Sequence, residues 1–267
     1  MKSTLLNNDF NIIAYRGGTE EKPENSVAAI LHSLRYSPDA IIEIDLQRTK
    51  ENNVIAFHDF DLERTSNGKG KVCHFTVEEL QTLNLKNADG TLNSLCKIAT
   101  LDEIFKTFKG QRFILDIHEN NPTLIKKVIA IVESHEQQSN IAIQSIHDVI
   151  IDQFRLLKPT WTFIAGTKET KRFIYASKLR MERWVKLKSD IIFLPEKLGK
   201  MKILTTRALN ELHRRKIKVW TCKNFDPYEN VNSYDEIKRI KGLEVDGIYT
   251  DNPEKLIEVQ SPLSAIC

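Results

Sequence analysis

No run of about 18 apolar residues occurs in this chain, so the sequence predicts no helix that spans a membrane. Residues 1–9 include one positive charge and only two adjacent leucines, and they lack the apolar segment of a secretory signal. We therefore expect a cytoplasmic protein, and we leave open export by a route other than the general secretory one.

The chain also lacks paired cysteines. Cys73, Cys96, Cys222 and Cys267 show no CxxC spacing, which argues against a zinc set or a disulfide framework. We expect buried or free thiols, as in a protein of a reducing compartment.

A large excess of one charge is absent as well. The 39 basic and 36 acidic side chains leave a net charge of +3, and no basic motif rich in aromatic residues is present, so nucleic acid is not an expected partner. The segment from Lys168 to Lys188 is an exception, with eight Lys or Arg against Glu169 and Glu182. A solvated helix face is the ordinary interpretation, and contact with an anionic membrane surface or steering of a charged substrate is the alternative.

What the chain does contain is an alternation of short apolar, β-branched runs with helical patterns. Alternating strands and helices predict a parallel sheet, and this many units over 267 residues favour an α/β fold with a closed (β/α)₈ TIM barrel over an open doubly wound sheet. One of the nine candidate strands is in excess of a barrel, and the sequence does not identify it. The candidates are Ile12–Ala14, Ile41–Leu46, Val54–Phe57, Phe113–Ile117, Ile141–Ile146, Thr162–Ala165, Ile191–Leu194, Val219–Thr221 and Gly247–Tyr249.

The alternation is interrupted between residues 59 and 100, a polar and glycine-bearing stretch after the third predicted strand. We interpret it as a large insertion within a single barrel over residues 1–267. Inside it, the pattern from Thr76 to Glu79 predicts a capping box that opens a short helix.

Charged side chains end several of the predicted strands. Glu43 and Asp45 end the second, His58 follows the third, and Asp116 and His118 end the fourth. Alternate residues of a strand share a face, and barrel active sites lie at the C-terminal ends of strands. We therefore expect the three carboxylates to converge there and to suit Mg²⁺ or Ca²⁺ better than zinc. A set of surface or ion-paired carboxylates is the alternative.

Arg16 follows the first predicted strand in the glycine-bearing loop Arg16-Gly17-Gly18. A guanidinium in a loop where the backbone can approach closely suits an anionic phosphate. Taken by itself, Arg16 would be interpreted as an exposed arginine paired with a carboxylate.

Nine short motifs, in order from about residue 11 to about residue 255, resemble the glycerophosphodiester phosphodiesterase family. The N-terminal motifs are specific in combination, whereas those after residue 140 are individually weak. The motifs are Ala14–Gly18, Pro23–Ser26, Glu43–Asp45, Thr49–Lys50, Phe57–Asp59, Arg64–Gly68, Ala99–Glu103, Val219–Thr221 and Val245–Asp251.

The resemblance implies a PLC-like phosphodiesterase barrel that uses a divalent cation to hydrolyse glycerophosphodiesters to glycerol 3-phosphate and an alcohol. By position, Arg16 would grip the phosphate, Trp220 would line the substrate pocket and His58 matches one of two catalytic histidines. The implied metal ligands are Glu43, Asp45 and Asp116, the last standing where many members carry Glu.

The family's other catalytic histidine corresponds to Tyr15 in this chain. In such enzymes one histidine deprotonates the attacking hydroxyl or water and the other protonates the leaving oxygen, each contributing typically about 10²- to 10⁴-fold in rate. A tyrosine, with a pKa near 10, can donate a proton but is a poor base at neutral pH. His118 stands where the family usually places lysine; it can take over the proton transfer because it titrates near neutrality, or it can simply replace that lysine.

Three functions remain open at this stage. The first is a metal-dependent phosphodiesterase with altered or weakened activity, and the second is a catalytically impaired relative that binds metal or phosphate. The third is phospholipase D-like cleavage of lysophospholipids to a cyclic phosphate, in which a hydroxyl of the substrate attacks and lowers the entropic barrier. The partner in each case is a small-molecule or lipid phosphodiester.

Overall fold

The computed structural model describes residues 3–225 and 228–256. The strands within these ranges are Asn11–Ala14 (β1), Ile41–Arg48 (β2), Val54–Ala56 (β3), Leu85–Lys86 (β4), Leu92–Asn93 (β5), Phe113–Ile117 (β6), Ile141–Gln144 (β7), Thr162–Phe163 (β8), Ile191–Leu198 (β9), Met201–Lys202 (β10), Lys218–Phe225 (β11), Tyr228–Glu229 (β12) and Gly247–Thr250 (β13). The helices are Val27–Tyr36 (α1), Val77–Thr82 (α2), Leu101–Thr107 (α3), Pro122–Ser134 (α4), Asp148–Leu157 (α5), Thr167–Lys178 (α6), Thr206–Arg214 (α7) and Tyr234–Lys241 (α8).

Eight strands form a parallel ring. Hydrogen-bonded neighbours run β9-β11-β13-β1-β2-β6-β7-β8, and every pair in this series is parallel. The two ends of the series meet where Ile164, just after β8, pairs in parallel with Ile191 of β9. The Ala165 amide also donates to the Ile191 carbonyl oxygen at 2.8 Å. The (β/α)₈ barrel expected from the sequence is confirmed.

The strand in excess is β3. It pairs antiparallel with β2, with Ala56 opposite Leu46, because the chain reverses at a turn in which Asn52 has a φ of 62°. Asparagine tolerates this left-handed conformation better than most residues. The insertion therefore follows the second strand of the ring and begins with β3, a short apolar run that sequence alone does not distinguish from a barrel strand.

The rest of the insertion has a small core of its own, built on Leu62, Val72 and Leu80. The capping box predicted at Thr76 is present: its hydroxyl accepts from the Glu79 amide at 3.2 Å and its own amide donates to the Glu79 carboxylate at 2.8 Å. α3 follows the insertion and returns the chain to the barrel wall.

Strand residues alternate between the barrel interior and the outer helices. On β2, Ile41 packs inside with Ile13 and Ile114, whereas Ile42 and Ile44 pack outward in the core beneath the helices. Both faces of a barrel strand are buried, which explains the nearly continuous apolar runs in the sequence. The same alternation places Glu43 and Asp45 on the inner face.

Three of the four cysteines fall within the described residues, and all three are free thiols, with Cys96 and Cys222 buried and Cys73 half-buried. Cys267 lies outside the described residues. Among the helices of residues 3–225 and 228–256, none is long and apolar enough to cross a membrane.

Trp220 of β11 is fully buried inside the barrel, opposite Gly247 of β13. A Cβ atom at position 247 would lie 2.8 Å from Trp220 Cδ1 and 2.9 Å from the Asn11 carbonyl oxygen, so only glycine leaves room for the indole. This placement corrects the expectation that Trp220 lines the substrate pocket: the side chain fills the space that Gly247 leaves and does not face the cavity.

We predict that Gly247→Ala lowers the free energy of unfolding by about 1–3 kcal/mol, because the added methyl group overpacks the barrel interior. Urea denaturation followed by circular dichroism measures the change. Gly242→Ala is the matched control, since Gly242 ends α8 in a helical conformation with a φ of −65°, and it should stay within about 1 kcal/mol of the wild type. Equal stability of the two variants would contradict the packing argument.

Candidate active site

A cavity of about 430 Å³ opens at the carboxyl ends of the barrel strands. Its position agrees with the general placement of active sites in this fold. One wall is polar and the opposite wall is largely apolar. The polar wall consists of Tyr15, Asp45, His58, Asp116, His118 and Gln144.

Three carboxylates meet at the base of the polar wall. Asp45 and Asp116 are direct neighbours across β2 and β6, and Glu43 lies two residues earlier on the same face of β2. Ligand oxygens of the three groups all lie within 4.8 Å of one another. Glu43 is fully buried and the other two nearly so. The convergence expected from the sequence is therefore present. All three carboxylates are buried, so they are not a set of surface carboxylates.

The pKa values of the three carboxyl groups shift in different directions. Burial acts to raise the pKa of Asp45, but the hydrogen bond with His118 and the charge of Arg16 outweigh it and lower that pKa. Burial, followed by the charges of Asp45 and Asp116, holds the pKa of Glu43 well above its ordinary value of 4.5. Burial also raises the pKa of Asp116, with the charge of Asp45 adding to it. Among the described atoms, Glu43 Oε1 and Asp116 Oδ1 are buried without a hydrogen-bond partner. Two carboxyl oxygens that lie close together without hydrogen-bond partners fit a hard cation that prefers oxygen ligands.

Two residues with left-handed backbone conformation hold the carboxylates in place. Arg16, with a φ of 50°, directs its amide to Glu43 Oε2 at 2.7 Å. Asn25, with a φ of 58°, binds Asp45 at both ends: its side-chain amide donates to Asp45 Oδ2 at 2.7 Å, and its oxygen accepts from the Asp45 amide at 2.9 Å. Such strained residues persist where the surroundings fix them, and here they fix the orientation of the candidate ligands.

The Arg16 side chain is already engaged by protein groups. Nη1 donates to Glu24 at 3.0 Å and Nη2 donates to the Tyr15 hydroxyl at 2.7 Å, while Nε lies 3.3 Å from Asp45 Oδ2. Arg16 does not form part of the cavity wall. To grip a phosphate, the guanidinium would exchange one of these partners, so its role as a phosphate ligand stays a prediction.

Tyr15 lies between the arginine and the cavity. Burial raises the pKa of its phenol far above 10; the Arg16 charge opposes this shift and nearby carboxylates reinforce it. The hydroxyl is therefore protonated throughout the physiological range. It can donate a hydrogen bond to a ligand, and it cannot serve as a base.

His58 is oriented by its neighbour in the sequence. Its Nδ1 lies 2.6 Å from Asp59 Oδ1, and Asp59 is in turn bound by Arg64 at 2.5 Å. Burial acts to raise the Asp59 pKa, but hydrogen bonds from Arg64 and His58 outweigh it and lower the pKa to about 2. An ionised Asp59 carboxylate holds Nδ1 of the His58 imidazole, so Nε2 is the nitrogen that is left to contact a substrate.

His118 lies against both His58 and the carboxylates. Its ring centroid is 4.7 Å from that of His58, in an edge-on arrangement, and its Nε2 lies 2.8 Å from Asp45 Oδ1 and 3.8 Å from Asp116 Oδ2. Burial acts to lower the pKa of His118, but Asp45 and Asp116 outweigh it and the pKa is raised. Asp45 and Asp116 therefore favour the protonated form of His118 in the wall of the cavity.

Two residues in the site, Gln144 and Tyr249, were not predicted as site residues from the sequence. Gln144, at the end of β7, donates to Asp116 Oδ2 at 2.7 Å and accepts from the Tyr249 hydroxyl at 3.0 Å. Through these two hydrogen bonds, Gln144 and Tyr249 restrain Asp116. A glutamine or tyrosine at a strand end has no distinguishing pattern, so only the register of the barrel reveals this link.

The wall facing the histidines is mostly apolar. Ile146, Ile164, Phe193, Leu198 and Phe225 contribute to it. Phe193 packs on the Tyr249 ring with centroids 4.3 Å apart and on Phe225 at 5.2 Å. These side chains, and not Trp220, supply the hydrophobic surface that a substrate would meet.

Helix α6 closes one side of the cavity with Thr170, Lys171 and Ile174. Lys171 is exposed and faces the opening. The sequence identified it only as part of a basic run, since nothing local connects it with the distant strand ends.

Comparison with known proteins gives a consistent result. Residues 16–255 match the model of the glycerophosphoryl diester phosphodiesterase family, a match that begins one residue after Tyr15. A glycerophosphodiester phosphodiesterase of Caldanaerobacter subterraneus is 26% identical over 257 residues, which cover 93% of this chain and 96% of the relative. A lysophospholipase D of Mus musculus is 30% identical over 148 residues, 53% of this chain and 46% of the relative.

The fold is similar to that of solved structures. A phosphodiesterase of Oleispira antarctica, solved in complex with the product sn-glycerol-3-phosphate, has a TM-score of 0.72 at 18% identity and covers 92% of this chain and 94% of its own. At this identity the likeness concerns the fold.

We predict that Glu43→Gln stabilises the metal-free protein at neutral pH, because burial and the charges of Asp45 and Asp116 disfavour the ionised form of Glu43 and glutamine carries no charge. A raised folded-state pKa stabilises the fold below pH 4.5, and this stabilisation is lost as the pH rises through the folded value. Thermal unfolding between pH 4.5 and 7.5 should therefore show a smaller loss of stability in Glu43→Gln than in the wild type.

The same variant should lose the response to cations. Mg²⁺ or Ca²⁺ at 100 times its dissociation constant stabilises a folded protein by about 2.7 kcal/mol, and we expect this gain in the wild type and in Glu51→Gln, an exposed control, but not in Glu43→Gln. An equal gain in all three proteins would place the cation elsewhere.

Proposed function

Because the chain belongs to the glycerophosphoryl diester phosphodiesterase family, we propose that it hydrolyses glycerophosphodiesters to glycerol 3-phosphate and an alcohol with the help of a divalent cation. The observation that carries the proposal is the cluster of Glu43, Asp45 and Asp116, whose buried oxygens lie beside two imidazoles in one cavity. An all-oxygen set of this kind favours Mg²⁺ or Ca²⁺.

A bound cation would neutralise negative charge on the phosphodiester and polarise its phosphorus–oxygen bonds. The chain's own residues hold the carboxylates ready for it. Asn25 and the Arg16 amide fix Asp45 and Glu43, and Gln144 fixes Asp116. Such preorganisation avoids the cost of arranging charges during the reaction.

We assign His58 as the general base. Asp59 binds Nδ1, which leaves Nε2 to accept a proton from water or from a hydroxyl of the substrate. This is the arrangement in which an ionised carboxylate fixes the tautomer of a histidine and stabilises the imidazolium that forms.

We assign His118 as the proton donor to the leaving oxygen, in place of the histidine that the family carries at position 15. Its ring lies 4.7 Å from that of His58, so the two imidazoles can reach two oxygens of one phosphodiester. Contact with a phosphate oxygen, as from the lysine of the family, is the alternative role. Tyr15 then contributes a hydrogen bond but does not act as a base. We therefore propose an enzyme whose turnover is weakened.

The first test is a coupled assay of glycerol 3-phosphate release from glycerophosphocholine with Mg²⁺, Ca²⁺ or Mn²⁺. We predict metal-dependent turnover that His58→Ala reduces by about 10²- to 10⁴-fold. The turnover of His118→Ala should fall by a similar factor. If His118 is the proton donor, His118→Lys should restore substrate binding without restoring turnover.

The controls separate this proposal from a catalytically impaired relative. Tyr15→Phe keeps the ring and should retain most of the activity, whereas Tyr15→His tests whether the scaffold works with the histidine that the family usually carries at this position. Activity only in Tyr15→His, with metal binding intact in the wild type by calorimetry, would assign the chain to a metal- or phosphate-binding module. Full activity of His118→Ala would remove His118 from the mechanism.

A second candidate substrate is a lysophospholipid, and the apolar wall favours it. Ile146 lies at the edge of the cavity and is 61% exposed. An acyl chain of a bound lysophospholipid would cover this side chain. The relative from Mus musculus is named a lysophospholipase D. Attack by a hydroxyl of the substrate would give a cyclic phosphate, and release of a linear phosphomonoester alone would exclude that route.

We predict that Ile146→Ser raises KM for lysophosphatidylcholine several-fold, since about 25 cal/mol is lost for each Å² of apolar contact removed, and leaves KM for glycerophosphocholine unchanged. Val149→Ser, 46% exposed and outside the cavity wall, is the matched control. Equal effects on both substrates would assign Ile146 to the structure of the cavity and not to acyl-chain binding.

A further inference from the structure

The exposed side chains between Lys168 and Trp184, which we call the α6 surface, form a cationic face on α6 and the turn after it. On α6 they recur at helical spacing and leave Thr170, Phe173 and Ile174 on the buried side. The basic members are Lys168, Lys171, Arg172, Lys178, Arg180 and Arg183, all exposed.

The two acidic residues of this segment are turned away from the surface. Glu169 accepts from the amides of Lys188 and Ser189 and pairs with Arg155 at 3.0 Å. Glu182 is buried and accepts from Arg207 at 2.5 Å. The charge that the sequence shows as partly balanced is therefore unbalanced on the outside.

Large apolar side chains lie among these cations. Leu179 is 71% and Trp184 68% exposed, and Tyr175 and Met181 are exposed too. Lys178 lies 5.4 Å from the Tyr175 ring centroid and Arg183 lies 4.8 Å from that of Trp184. Aromatic rings beside basic groups are typical of helices that lie in the interface of a membrane.

The α6 surface begins at the cavity. Lys171 belongs both to the cavity wall and to the exposed face, and Leu179 lies eight residues further on, about 12 Å along a helix. A flat layer in contact with the α6 surface would therefore reach the edge of the cavity.

We propose that the α6 surface docks on an anionic lipid bilayer. Basic residues supply attraction to the negative surface of such a membrane, and Leu179, Met181 and Trp184 supply apolar groups that enter the boundary of the acyl chains. A polynucleotide would satisfy the charges and leave Leu179 and Met181 in water, so the lipid surface is the better match.

Tryptophan fluorescence gives a direct test on the full chain. Trp161 and Trp220 are buried, and Trp184 is the exposed one of the three tryptophans in the sequence. We expect vesicles of phosphatidylcholine with phosphatidylserine to shift the emission to the blue and to protect it from acrylamide, whereas vesicles of phosphatidylcholine alone do not. Trp184→Phe should abolish the shift and confirm its origin.

Charge variants test the electrostatic part by co-sedimentation with the same vesicles. Arg172→Glu with Arg180→Glu leaves Trp184 unchanged and should weaken partitioning by at least roughly tenfold, because each basic residue near the surface contributes substantially to binding. Lys126→Glu with Lys127→Glu makes the same charge change on exposed positions of α4 and should bind as the wild type does. Circular dichroism and thermal unfolding confirm that both variants fold.

Several outcomes would overturn the proposal. The first is equal binding of the protein to neutral and to anionic vesicles, and the second is an equal loss of vesicle binding in the two double variants. The third is Trp184 fluorescence that stays unshifted in protein that sediments with the vesicles. Binding to heparin or poly(U) without binding to vesicles would assign the surface to a polyanion. Vesicle binding requires no turnover, so its failure is distinguishable from failure of the proposed hydrolysis.

Discussion

Repulsion among Glu43, Asp45 and Asp116 is the constraint on which the polar end of the barrel depends. Their oxygens lie within 4.8 Å of one another and are nearly removed from water, an arrangement that costs several kcal/mol per uncompensated charge. The fold offsets part of this cost with local donors. Arg16 and Asn25 adopt left-handed backbone conformations, from which the Arg16 amide and the Asn25 side chain donate to two of the carboxylates. The carboxylate oxygens that remain without a partner account for the cation affinity that we propose.

The same charges determine the properties of the residues around them. Asp45 and Asp116 raise the pKa of His118, and burial among carboxylates keeps the Tyr15 phenol protonated. A tyrosine at position 15 therefore cannot replace a basic histidine by a shift of its own pKa. His118, at the end of a different strand, lies edge-on to His58 and places a second imidazole at the cavity. This second imidazole is the basis of the acid–base chemistry that we propose.

Much of the barrel was predictable because it is written in local patterns. Short apolar runs located the eight ring strands, and alternation along β2 placed Glu43 and Asp45 inward. The patterns did not identify β3 as antiparallel, since a three-residue apolar run has no direction. The family resemblance implied that Trp220 lines the pocket. Its burial instead follows from the space that Gly247 leaves on the adjacent strand, a relation between residues distant in the sequence.

The sequence by itself determined the fold class and the inward placement of Glu43 and Asp45, because strand periodicity fixes which face a side chain takes. Only the tertiary structure decided that Gln144 and Tyr249 restrain Asp116, and that Lys171 reaches the cavity. It also decided that Glu169 and Glu182 turn away from the α6 surface. These facts depend on strand register and helix placement, which result from packing the whole barrel at once. No local stretch of sequence contains that information.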